Sequence, residues 1–134
     1  MWKKLFIDDI KSLAHDGTTE NLFPLTHVNI VQKDCYLNPA WIVWKGWYEK
    51  GELLGLAGLR KKGPDPKCGH IIIFEIRKDR HRQGIGLRCL LKLTKNKKFT
   101  LTSLPENHDF YTKAGFALVD TYRTGYGLYR NYKN

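Results

Sequence analysis

Cations beside glycines at the start of a helix can hold a phosphate, and this chain offers that combination between Arg77 and Leu93, RKDRHRQGIGLRCLLKL. The run opens on Arg77, Lys78, Arg80, His81 and Arg82, passes through Gly84-Ile85-Gly86 and turns apolar. The first amides of a helix lack internal partners, and with the helix dipole they favour an anion there. Glycine lets the backbone approach a ligand where a Cβ would collide. Arg82 and its neighbours would add charge-assisted hydrogen bonds. The chemistry implied is binding of a phosphate or pyrophosphate.

The elements that must position this loop follow from spacing. His70–Ile76, HIIIFEI, reads as a strand apolar enough to be central in a sheet, and Gly84–Thr94 as the helix after the loop. Upstream, Phe6–Ala14 has helical spacing, a short helix or loop follows around Glu20–Val31, and Ala40–Tyr48 and Leu53–Leu59 read as a hairpin turning at Glu49–Glu52. Lys61–Cys68, rich in proline and glycine, reads as a loop. Downstream come a strand at Phe99–Leu104, a helix at Pro105–Ala114 stopped by Gly115, and strands at Phe116–Arg123 and Gly127–Tyr132 around the turn Gly125-Tyr126-Gly127. This order predicts an α/β (α+β) fold with mixed strand directions, in one domain over residues 1–134.

The formal charge of +10 on 134 residues favours acidic partners without choosing among them. No stretch reaches the length of a membrane span. The N-terminal MWKKLFIDDIKSL lacks a signal h-region because Asp8, Asp9 and Lys11 interrupt it. Cys35, Cys68 and Cys89 are odd in number, dispersed and outside any CxxC, as expected of reduced thiols in a cytoplasmic setting. Cys68-Gly69-His70 has no further ligand at suitable spacing, so no metal site is expected. A Walker loop is absent. The dinucleotide pattern GxGxxG fails because Cys89 stands at its third glycine.

The stretch instead resembles the acetyl-CoA-binding motif of the GNAT acyltransferase superfamily, [RQ]-x-x-G-x-[GA]. Here it reads His81-Arg82-Gln83-Gly84-Ile85-Gly86, with His in the Arg/Gln slot and Arg82 and Gln83 beside it. The family's next hallmark, N…FYxKxGF, is matched by Asn107-His108-Asp109-Phe110-Tyr111-Thr112-Lys113-Ala114-Gly115-Phe116. The resemblance covers Gly69–Phe116 well and the remainder by element order. It implies a mostly antiparallel central sheet flanked by helices, with a strand–pyrophosphate loop–helix unit at Ile71–Thr94. The N-terminal part is short for the superfamily, which implies a first strand that is reduced or absent.

The resemblance also implies transfer of an acetyl group from acetyl-CoA, the co-substrate, to a primary amine. Such a reaction needs a proton donor for the departing thiolate, a contact for the oxyanion and optionally a base. Tyr111 takes the acid role, against the ordinary reading of a packed ring. Asn107, one helical turn earlier, touches the cofactor or caps the helix. Gly84, Ile85 and Gly86, with His81, Arg82 and Gln83, form the phosphate loop, and the backbones of Ile76 and Lys78 flank the pantetheine arm. Regular alternation along the strand groups His70, Ile72, Phe74 and Ile76 on one face and Ile71, Ile73 and Glu75 on the other. Family members often place a glutamate near this strand's start in the parity of His70, so His70 is the expected base and Glu75 the rival of wrong parity. A base acting through water is the other possibility.

Two other functions stay open at this level. One is a nucleic-acid-binding module, from the basic cluster and the aromatic residues interleaved with cations near the C-terminus. The other is a catalytically silent acyl-CoA-binding protein. The acceptor, whether small molecule, protein or aminoacyl-tRNA, and a possible homodimer carry no motif.

Overall fold

The computed structural model describes residues 1–60 and 68–133; the loop expected at Lys61–Cys68 lies outside these apart from Cys68. The chain begins with β1 (Trp2–Leu5), paired antiparallel with β2 (Ile42–Glu49), so the first strand is present but only four residues long. Between them lie α1 (Ile7–His15), α2 (Thr18–Leu22) and α3 (Pro24–Gln32). The Asp9 carboxylate accepts the Phe6 amide at 2.7 Å and so starts α1. Pro24 opens α3 at its first position, where a missing N–H costs nothing.

Strand β3 (Glu52–Arg60) returns from β2 through Lys50 and Gly51, both with positive φ (52° and 76°), the tight turn that matches strand twist. Next come β4 (Gly69–Ile76), α4 (Ile85–Thr94), β5 (Phe99–Ser103), α5 (His108–Lys113), β6 (Ala117–Thr121) and β7 (Gly127–Arg130). Residues Pro105–Asn107, expected as the first turn of the helix, form a 3₁₀ turn instead. Gly115, at φ 91°, follows the end of α5.

The strands form one seven-stranded sheet in the order β1-β2-β3-β4-β5-β7-β6, and every pairing is antiparallel except β4 with β5. One face packs under α1–α3, where Ile10, Phe23 and Ile30 meet Trp44, Leu56 and Ile73. The other packs under α4 and α5, where Leu90 and Leu93 meet Ala57, Ile71, Leu101 and Tyr129. Among the described residues no helix is long and apolar enough to cross a membrane.

The regular alternation expected along β4 does not hold. Gly58 pairs with Ile73 while the next residue, Leu59, pairs with Ile71, so Ile72 is an extra residue in β4. Such a bulge shifts all later side chains to the opposite faces. Ile71 accordingly packs with Leu90 and Leu93, whereas Ile73 packs with Ile10 and Phe23. Phe74 and Ile76 therefore share the α4 face with Ile71. Glu75 joins Ile73 and His70 on the α1–α3 face, the reverse of the sequence expectation.

Candidate functional site

β4 and β5 pair over only Gly69–Ile71 and Phe99–Leu101. Beyond that point no ladder joins them, and a cavity of about 710 Å³ occupies the region past the bulge. Backbone bonding directs polar groups into it. The Arg77 amide donates to the Leu54 carbonyl at 2.9 Å. Bonding sides alternate along an antiparallel strand, so Phe74 and Ile76 turn their N–H and C=O away from β3, toward the gap. His81 donates from Nε2 to the Ile76 carbonyl at 2.9 Å, which folds the loop back on the end of β4. The imidazole in the Arg/Gln slot thus has a structural partner.

Gly84, at φ 73°, begins α4 in a backbone conformation that L side chains rarely adopt. The first bond of the helix runs from the Arg88 amide to the Gly84 carbonyl at 3.2 Å. The amides just before Arg88 have no helical acceptor. Gly86 is required for a different reason. A Cβ there would stand 3.3 Å from Phe110 Cε1 and 3.4 Å from Ile76 Cγ1. Close contact between α4, β4 and α5 is what brings the loop beside Tyr111.

The loop cations divide into two groups. Arg80 pairs with Glu52 at 2.7 Å, Arg88 with Glu49 at 2.7 Å and Arg77 with Asp79 at 2.8 Å. The two glutamates come from the distant β2–β3 hairpin, so the stretch is less positive than its own sequence reads. Lys78 and Arg82 make no ion pair among the described residues, and of the two only Arg82 lines the cavity.

Of the residues singled out in the sequence, Ile76, His81, Arg82, Gly84, Ile85, Gly86, Asn107 and Tyr111 line this cavity; Lys78, Gln83 and His70 do not. His70 is buried at the opposite end of β4 and exchanges a 2.8 Å hydrogen bond through Nδ1 with Thr100 Oγ1. Desolvation, and then the charge of Arg60, pushes its pKa down. Asn107 stands before α5 without capping it; its Nδ2 donates to Ser103 Oγ at 3.2 Å. Tyr111 packs between Phe110, Phe116 and Tyr129. Burial, and then the nearby Tyr129, pushes its phenol up to about 12.

Glu75, set aside in sequence for its parity, lines the cavity. Its Oε1 accepts the Thr26 amide at 2.8 Å and the Thr26 hydroxyl at 2.7 Å, and its Oε2 accepts the Leu25 amide at 3.0 Å. The carboxylate thereby holds the N-terminus of α3, and Oε2, with one donor, keeps acceptor capacity. Nothing in the HIIIFEI pattern signals the bulge that turns Glu75 to this side. Phe110 also lines the cavity, stacked on Phe74 at 6.2 Å.

The sequence model of the acetyltransferase (GNAT) family matches residues 7–116. The chain belongs to the GNAT acetyltransferase family. No curated protein matches it in sequence. Solved structures share the fold at low identity. PaiA N-acetyltransferase from Thermoplasma acidophilum, in complex with coenzyme A, has a TM-score of 0.65 at 16% identity, covering 97% of this chain and 96% of that one. An acetyltransferase from Thermus thermophilus has a TM-score of 0.68 at 14% identity, covering 97% and 96%. The aminoglycoside acetyltransferase AAC(6')-Ib, in complex with coenzyme A and kanamycin, has a TM-score of 0.66 at 18% identity, covering 97% and 92%. GNAT acetyltransferases use acetyl-CoA. In this GNAT chain the family match ends at the close of the NHDFYTKAGF string, so it includes both the Gly84–Gly86 loop and Tyr111.

Proposed function

We propose that this GNAT protein transfers an acetyl group from acetyl-CoA to a primary amine. The observation that carries the reading is the common lining of one cavity: bare amides at Gly84–Gly86, the Tyr111 phenol and the Glu75 carboxylate. The loop fits a diphosphate, because Gly84 takes a left-handed φ, Gly86 has no room for a Cβ without displacing Phe110, and Arg82 is unpaired among the described residues. The Arg82 guanidinium and the loop amides would hold the phosphates. The cleft-facing N–H of Ile76 and both backbone groups of Phe74 would flank the pantetheine arm like an added strand. The Ile76 carbonyl is already engaged by His81. Lys78 and Gln83 are left out of the binding set.

Acetyl-CoA would supply an acetyl group activated as a thioester. Tyr111, held at about 12, keeps its proton on Oη throughout the neutral range and serves as the donor to the departing sulfur. Glu75, rather than His70, takes the role of base. Its Oε2 accepts the proton of the incoming ammonium directly or through one water. Asn107 at the other wall supports the cofactor. The acceptor is an amine small enough, or attached flexibly enough, to enter beside Leu25 and Glu75.

The test pairs acetyl-CoA titration with thiol release across a panel of amines. Tyr111→Phe is expected to lower kcat about a hundredfold while leaving acetyl-CoA affinity within about threefold. In the wild type, Tyr111 should produce no fall in rate with rising pH below about pH 11, since its pKa lies near 12. Unchanged turnover in the Phe variant would remove the phenol from the mechanism. Binding without thiol release for any amine would support a silent acyl-CoA-binding protein instead.

A further inference from the structure

The outer face of α3 adjoins the acetyl-transfer cavity, and it is uncharged. Surface helices ordinarily turn charged and polar side chains to solvent. Among the described residues α3, PLTHVNIVQ, is the one α-helix without an Asp, Glu, Lys or Arg. Its inward positions are filled: Thr26 and Ile30 are buried, and His27 exchanges a 2.9 Å hydrogen bond through Nδ1 with Thr19 Oγ1. Outside, Leu25 is 53% exposed and Val28 48%. Residues three apart are neighbours on a helix, so these two form one aliphatic surface. Leu25 also lines the cavity, and its amide donates to Glu75 Oε2 at 3.0 Å. The aliphatic surface therefore begins beside the proposed base.

The cavity's charges limit how many ammonium groups an acceptor can bring. Glu75 is the one carboxylate among its described lining residues, against Arg80, Arg82 and Lys113. A single ammonium finds its counter-ion at Glu75. A second would face the cations, or lie on Leu25 and Val28 with no partner. Those two side chains offer no hydrogen bond, and Asn29 Nδ2 already donates to the Leu25 carbonyl at 2.9 Å. A hydrocarbon body suits such a surface. A peptide laid there would find no partners for its amides on that side.

We propose that the acceptor is an apolar small-molecule primary monoamine, with its nitrogen at Glu75 and its hydrocarbon body over Leu25 and Val28. This assignment rests on the acetyl-transfer reading of the cavity. In the transfer an N–C bond forms as the thioester C–S bond breaks. Glu75 takes the first proton of the ammonium, and the second replaces the proton that Tyr111 gives to sulfur. Leu25 and Val28 select the acceptor and take no part in the proton transfers.

The experiment follows thiol release from acetyl-CoA with n-butylamine, n-hexylamine, n-octylamine, 1,8-diaminooctane, spermidine, kanamycin and a tripeptide with an N-terminal leucine. It compares wild type with Leu25→Gln/Val28→Gln and with the control Val119→Gln, an exposed position on β6. Circular dichroism checks the fold of each. A methylene laid on a surface is covered on one side, so kcat/KM should rise about twofold for each one and about sixteenfold from butylamine to octylamine. 1,8-Diaminooctane should be about tenfold poorer than octylamine. The double variant should lose the dependence on chain length, and Val119→Gln should retain it. Turnover with no length dependence overturns the assignment of the acceptor and leaves the transfer reading standing. So does a preference for the diamine, spermidine, kanamycin or the tripeptide over octylamine, or a length dependence that survives the double substitution. Thiol release with no amine of the panel removes the transfer reading, and this assignment with it.

Discussion

Glu75 has a structural role and a proposed catalytic one, and a pair of substitutions separates them. Its carboxylate receives three hydrogen bonds from Leu25 and Thr26 at 2.7–3.0 Å, and it faces the cavity. Glu75→Ala removes every one of those acceptors from the start of α3, a loss of about 2 kcal/mol by analogy with helix caps and charged hydrogen bonds. Glu75→Gln keeps a carbonyl oxygen for Thr26 and loses the bond to Leu25 together with the charge at the helix N-terminus, about 1 kcal/mol. For a domain of this size the Gln variant should melt roughly 4 °C below wild type. The proposed base, however, is gone, and kcat/KM at pH 7 should fall about a hundredfold in the thiol-release assay. Activity and melting temperature, measured on the same preparations, decide the matter. A Gln variant within twofold of wild-type kcat/KM, beside an Ala variant that has lost activity, would show that Glu75 only fastens the helix.

Further outcomes follow from single residues. Gly86→Val places methyl groups where Phe110 already stands 3.3 Å from the ideal Cβ position, so acetyl-CoA affinity should drop at least tenfold by calorimetry, with a loss of about 1–3 kcal/mol in stability. Gly84→Ala meets no neighbour, yet must hold φ at 73°. A penalty of about 1 kcal/mol in urea unfolding, with a smaller loss of affinity than at Gly86, is expected. His70 is buried with its pKa lowered from 6.5, so the native state binds fewer protons than the unfolded chain. The stability it contributes is present above pH 6.5 and declines as pH falls below that value. His70→Gln should flatten this acid limb in a series of thermal melts and leave kcat/KM at pH 7 nearly intact, because His70 is remote from the cavity.

Much of the site was legible because its features are local. Glycines at a helix start, and an Asn and a Tyr one helical turn apart, are set within a few residues of sequence, whereas the packing of Gly86 against Phe110 and Ile76 is tertiary. The hairpin at Lys50-Gly51 and the central position of β4 were legible too. Parity along β4 was not. The bulge at Ile72 arises from how β3 and β4 pair, and three successive isoleucines carry no alternation to reveal it. The bulge turns Glu75, the proposed base, to the cavity, while His70 lies at the far end of β4. The first strand was also hidden: Trp2–Leu5 is too short to read as a strand and exists through its pairing with β2.

The sequence by itself determined the α/β class, the element order around the Gly84–Gly86 loop and the placement of Tyr111 after it, since backbone torsion and side-chain periodicity act at short range. Only the tertiary structure decided which charges remain available. Glu49 and Glu52 neutralise Arg88 and Arg80 across the fold. The same is true of the parting of β4 from β5, which opens the cavity. Electrostatics and strand pairing depend on distance in space, and residues far apart in the chain meet only once the sheet has formed.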